Sequence, residues 1–109
     1  MKVGIIRCQQ TESMCPGSAC FVFAARGKGA FEENGPCEIA GFVSCGGCPG
    51  KNVVPRVSMM IERGVEAIAF ASCMKRGTPI GFPCPHYAEI LKAVQENLDK
   101  PVNILEHTN

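Results

Sequence analysis

The sequence predicts an α/β fold: a mostly parallel four-stranded sheet with helices on both faces. Three observations predict it. Apolar runs of strand length alternate with segments whose apolar residues recur at steps of three and four, and glycine or proline stands at nearly every junction. Strands separated by helices pair in parallel, and right-handed crossovers lay those helices over the sheet.

Each element follows from its residues. Lys2–Cys8, with Val3, Ile5 and Ile6, reads as the first strand. Pro16 and Gly17 break the chain, Ser18 is a candidate cap, and Ala19–Arg26 with Phe21, Val22, Ala24 and Ala25 reads as a helix stopped at Gly27–Gly29. Gly35–Pro36 is a turn. Glu38–Cys45 is the second strand, and Gly46–Gly50 makes a tight loop. Val54, Val57, Met60 and Ile61 give a helical stripe, with Pro55 in its first turn and Gly64 at its stop. Val65–Cys73 is apolar enough for a central strand. A loop over Met74–Pro85 follows, then a helix over His86–Asp99 broken by Pro101, and a last strand over Val102–Glu106. The order βαβαβαβ is that of a flavodoxin- or Rossmann-like three-layer domain.

Composition narrows the function. A length of 109 residues suits one domain, 1–109, and 46% hydrophobic against 19% charged residues is globular composition. Eleven basic and ten acidic residues give +1, which excludes a basic nucleic-acid footprint. No run of 18 apolar residues is present, so no membrane span is expected. The start, MKVGIIRC, reads as a strand rather than a signal peptide, and a cytoplasmic address follows as the expectation.

Eight cysteines are the main chemical clue. In a reducing compartment clustered thiols bind metal or do redox work, and a disulfide framework is the lesser reading. Ligands of open α/β sheets sit beyond the carboxyl ends of the strands. Cys8, Cys45 and Cys73 close the first three predicted strands. Cys48 lies three residues past Cys45, Cys84 ends the long loop, and Cys15 and Cys20 flank the start of the first helix. Seven cysteines therefore gather at one sheet edge. Cys45–Cys48 is a Cys-x-x-Cys pair, whose spacing lets two thiolates face one ion from a tight turn. Three Cys-Pro steps, at Cys15, Cys48 and Cys84, echo the ending of ferredoxin cluster motifs. The predicted metal ligands are Cys8, Cys45, Cys48, Cys73 and Cys84, with Cys15, Cys20 and His86 as a second tier. Cys37 opens the second strand, about 26 Å from Cys45 at 3.3 Å per residue, and is expected to be a buried or spare thiol. Cys20 and Arg26 match a phosphatase-loop spacing but fall inside a helix, and Met59–Met60 reads as core.

The run Cys45-Gly46-Gly47-Cys48-Pro49-Gly50 between a strand and a helix resembles the CGGC-domain family. So do Cys8 with Thr11, Cys15 and Cys20, Phe31, Gly41–Phe42, Gly64, Ser72–Cys73 and Cys84-Pro85-His86, which extends the resemblance over nearly the whole chain. The resemblance implies metal binding, with zinc held by cysteines and histidines, and gives no reaction. Where such proteins often end in Gly-Thr-His, this chain ends Glu106-His107-Thr108-Asn109, so no role passes to His107.

The expected function is a metalloprotein holding an iron–sulfur cluster, placed narrowly ahead of zinc, for electron transfer or metal handling with a redox or metal-delivery protein as partner. The alternative is a thiol–disulfide oxidoreductase using Cys45 and Cys48. Met74–Pro85 is expected to cover the site, with Lys75 and Arg76 facing an anionic ligand or acidic partner.

Overall fold

The computed structural model describes residues 1–77, 81–98 and 102–108. Strands β1 (Lys2–Arg7), β2 (Glu38–Ser44), β3 (Ala67–Phe70) and β4 (Asn103–Leu105) form one parallel sheet in the order β2-β1-β3-β4. Helices α1 (Ser18–Arg26), α2 (Val53–Glu62), α3 (Ser72–Lys75) and α4 (Tyr87–Asn97) connect them, with single 3-10 turns at Gln9–Thr11 and Gly29–Phe31.

The two inner strands carry the core. Val3, Ile5 and Ile6 of β1 and all of β3 are fully buried, as strands covered on both faces must be. The chain leaves β1 towards β2 but returns from β2 past β1 to β3. Right-handed crossovers then place α1 on one face and α2 with α4 on the other. Packing agrees, since α2 contacts α4 while α1 contacts β2. Gly4 and Gly41 pair in register, and a Cβ on either would meet Met60 Sδ of α2 at 2.7 Å. The two glycines make the hollow in which α2 lies. Phe42, one residue on, points to the opposite face and stacks on Phe21 of α1 with ring centroids 5.0 Å apart. Phe31, fully buried in the turn after α1, belongs to the same core.

Several boundaries differ from expectation, each for a local reason. Ser18 is the first helical residue of α1, and Gly17 with φ +80° takes the cap position. Of the apolar run Val65–Cys73 only Ala67–Phe70 is strand. Val65 N–H bonds back to Met60 O at the end of α2, and Ala71, after a last bond to Ile6 O, starts the turn into α3. Cys73 is therefore helical and does not close β3. The expected loop Met74–Pro85 is shorter, because Met74 and Lys75 belong to α3. Met74 is fully buried, and its carbonyl accepts the Cys84 N–H at 2.7 Å, which pins the two ends of the segment together. Its residues 78–80, with Asp99 and Pro101, lie outside the described residues.

Candidate metal centre

The alternation of β1 continues past its last paired residue and divides the cysteines. Arg7 turns to the α1 face, its guanidinium 5.2 Å from the centre of the Phe42 ring and Nη1 donating to Cys15 O at 2.6 Å. Cys8, the next residue, opens onto the α2–α4 face. There it lines a chamber of about 390 Å³ together with Cys45, Cys48, Cys84, His86 and Ile90. A second chamber of about 160 Å³, on the α1 face, is lined by Arg7, Thr11, Cys15, Cys20, Phe42 and Cys73.

Backbone donors serve both sides of the divide. At the end of β1 the ladder runs out of carbonyl acceptors on its neighbours, and thiols take their place. Cys8 N–H donates to Cys73 Sγ at 3.3 Å and Gln9 N–H to Cys45 Sγ at 3.5 Å. Cys45 is buried, its own N–H held by Arg7 O at 2.8 Å, whereas Cys48 is exposed. The Gly46–Gly47 pair between them has φ +79° and +100°, a conformation that side chains disfavour. The Cys48–Pro49 bond is cis. Arg56 of α2 donates to Ser44 O at 2.8 Å and fixes the strand end from which this loop departs. Helix α2 begins at Val53, so a turn separates its N-terminus from Cys48.

Burial holds the Cys8 thiol above its ordinary range, and the nearby Cys45 and Cys73 sulfurs add to that. The N–H groups of Gln10 and Thr11 oppose it at longer range, since Cys8 makes no regular capping bond. Cys84 is raised mainly by burial and further by Cys8, Cys45 and Cys48, against the His86 N–H. The four thiols of the chamber thus share one electrostatic neighbourhood, which Cys73 adjoins through Cys8. They cannot all ionise without a cation among them, and a metal centre supplies one. Among the described residues no three His, Cys, Asp or Glu side chains converge on one point where a single ion could sit. The donor chemistry nevertheless fits a thiophilic group: four thiols and an imidazole, with no carboxylate among the described lining residues. Loading such a centre must draw the sulfurs together.

The chain from residue 2 to 108 matches the model of the CGGC domain. The chain belongs to the CGGC-domain family. An uncharacterized protein of Methanocaldococcus jannaschii is 38% identical over 99% of this chain and 88% of its own length. No solved structure matches the chain significantly.

In this CGGC domain the sequence-predicted residues fall into separate groups. Cys8, Cys45, Cys48 and Cys84 meet in one chamber with His86, which stands at the cap position before α4, its Nδ1 3.8 Å from Glu89 Oε2. Cys73, Cys15 and Cys20 line the other. Cys37 is buried at the opposite sheet edge, with Sγ donating to Gly35 O at 3.2 Å. His107 lies apart from both chambers, in a hollow with Glu32, Glu33, Lys75 and Glu106. Lys75 pairs with Glu106 at 3.2 Å, and Glu106 also accepts the Tyr87 hydroxyl at 3.1 Å. The sequence reading missed Arg7 and Thr108. Fully buried Thr108 lies with Oγ1 3.2 Å from Cys20 Sγ and accepts the Ser72 N–H at 3.3 Å. A hydroxyl near a chain end carries no signal of such contacts. Arg7, by contrast, had one, as the outward neighbour of a strand-end cysteine.

Proposed function

We propose that this CGGC domain is a cytosolic metalloprotein that holds an iron–sulfur cluster through Cys8, Cys45, Cys48 and Cys84, with His86 at the rim. The observation that carries the reading is the gathering of these four sulfurs in one chamber, where Cys84 feels the other three. A zinc ion needs four donors at about 2.3 Å from one centre. An iron–sulfur cluster is likewise held by four cysteine thiolates, and the Cys-Pro steps at Cys48 and Cys84 favour it. All eight cysteines are unpaired, and no helix among the described residues is long and apolar enough to cross a membrane. Exposed Cys48 and Phe82, the latter 73% exposed, stand at the chamber rim. They support access by a protein that exchanges electrons or metal with the centre.

Anaerobic purification tests the reading. Brown protein with iron and acid-labile sulfide, lost in Cys84→Ser, is the expected result. Colourless protein with stoichiometric zinc replaces the cluster by zinc in the same ligands. Metal-free protein with an active dithiol overturns both. The second reading, a redox pair of Cys45 and Cys48, draws on one feature of the pair: a buried thiol and an exposed one joined by two glycines.

A further inference from the structure

We propose that the chamber on the α1 face is a second, separate thiol site, in which Cys73 attacks a small carboxylate-bearing disulfide and Cys20 resolves the mixed disulfide. It does not depend on which metal the first chamber holds.

Cys15, Cys20 and Cys73 come from three segments: the loop before α1, the first turn of α1, and α3. No trio among the described residues converges on an ion, and the charged side chain lining this chamber is the Arg7 guanidinium. A cation repels metal and attracts an anion. The remaining walls are the hydroxyl-bearing Thr11 and Ser72 and the small or apolar Gly17, Ala19, Phe42 and Ala71. A space of about 160 Å³ is comparable to cavities that accept benzene, and this one is open on one side. It admits half of a small disulfide, with the other half towards solvent and a carboxylate beside Arg7.

The pair Cys20 and Cys73 is held by two hydroxyls. Thr108 Oγ1 lies 3.2 Å from Cys20 Sγ and accepts the N–H of Ser72, the residue before Cys73, which ties α1 to α3 at this point. Fully buried Thr11 lies with Oγ1 3.6 Å from Cys73 Sγ and 2.8 Å from Cys8 O. Its single proton serves one of these at a time. Cys8 N–H remains aimed at Cys73 Sγ throughout, where charge on sulfur is stabilised. Burial raises the Cys20 thiol, with Cys73 and Cys15 adding to it, so Cys20 keeps its proton until the second step.

The steps balance. Cys73 sulfur attacks one sulfur of RS–SR; that S–S bond breaks, Cys73–S–SR forms, and RS⁻ leaves and takes up the Cys73 proton. Cys20 sulfur then attacks Cys73 sulfur, the Cys20–Cys73 bond forms, and the second RS⁻ leaves with the Cys20 proton. Two electrons pass from two cysteine thiols to one disulfide, which becomes two thiols. An external dithiol resets the pair.

The test treats reduced, metal-loaded protein with one equivalent of dithiodiglycolate or, separately, its cationic counterpart cystamine. Acid quenching, digestion and mass spectrometry then locate the products. A Cys20–Cys73 disulfide with two thiols released per disulfide supports the proposal, as does a rate about tenfold higher for the anionic probe. Arg7→Gln should abolish that preference. Cys20→Ser should stop at a mixed disulfide on Cys73, which also shows that the variant folds and reacts; Cys73→Ser should give no cross-link. A Cys45–Cys48 or Cys15–Cys20 disulfide in place of Cys20–Cys73, adducts confined to exposed Cys48, or equal rates for both probes overturns it. Bound metal separates this proposal from the first. Unchanged metal in Cys73→Ser is expected, and its loss would make Cys73 a ligand and overturn the separation. Absence of metal in the wild type defeats the cluster reading and leaves the cross-link test standing on apo protein.

Discussion

Lowering the pH by one unit, from 7.5 to 6.5, should weaken zinc or cobalt binding by at least about 100-fold. The magnitude comes from two thiols. Cys8 and Cys84 are both held above the ordinary thiol range, chiefly by burial, so each carries its proton in the metal-free protein throughout this window. Each must release it to ligate. Every proton displaced costs about a tenfold loss of affinity per pH unit, or about 1.4 kcal/mol, and two give about 2.7 kcal/mol. The sign is fixed: the protonated form is the metal-free one, so acid favours the empty site. Competition against a chelator of known pH dependence measures the slope, and cobalt adds a thiolate charge-transfer band. A fall of less than about tenfold per unit would mean that neither of these thiols gives up a proton to the ion, and the chamber would not be the centre. In Cys84→Ser the slope should drop by about one proton.

Three further outcomes follow from the geometry. Cys37→Ser should keep full metal, since Cys37 lies at the far edge of the sheet bonded to Gly35 O, whereas Cys48→Ser should lose most of it; metal analysis of both variants decides this. Gly46→Ala should cost about 1–2 kcal/mol of stability in denaturant titrations, because φ +79° is strained for alanine and its Cβ would lie 2.9 Å from Asn52 Nδ2. Gly4→Ala should cost about 1–3 kcal/mol through the 2.7 Å approach to Met60 Sδ. Met60→Ala should relieve part of that, and additive costs in the double-mutant cycle would show that α2 does not rest on this glycine.

The sequence by itself determined the element order, the parallel sheet and the strand edge at which seven cysteines collect. These are consequences of local periodicity: apolar runs of strand length, helical stripes, and glycine or proline at the joints. The placement of Cys37 also followed from strand length alone. Local pattern did not determine how far each run is used. The apolar run Val65–Cys73 reads as one strand, yet its first residue bonds back to Met60 O at the end of α2 and its last residues turn into α3, where Ala71 O and Ser72 O accept the N–H groups of Met74 and Arg76.

Only the tertiary structure decided which thiols are neighbours. Cys8 and Cys73 are 65 residues apart, and their contact depends on β1 lying beside β3 in the order β2-β1-β3-β4. By sequence alone Cys73 groups with Cys45, since both close predicted strands, and with Cys48 three residues past Cys45. The fold assigns them to different chambers, because side chains at the end of β1 alternate between faces, Arg7 towards α1 and Cys8 towards α4, while the Cys8 backbone still touches Cys73 Sγ. Which helix covers which face is set by crossover handedness acting on strand order, a long-range property that no short stretch of residues encodes.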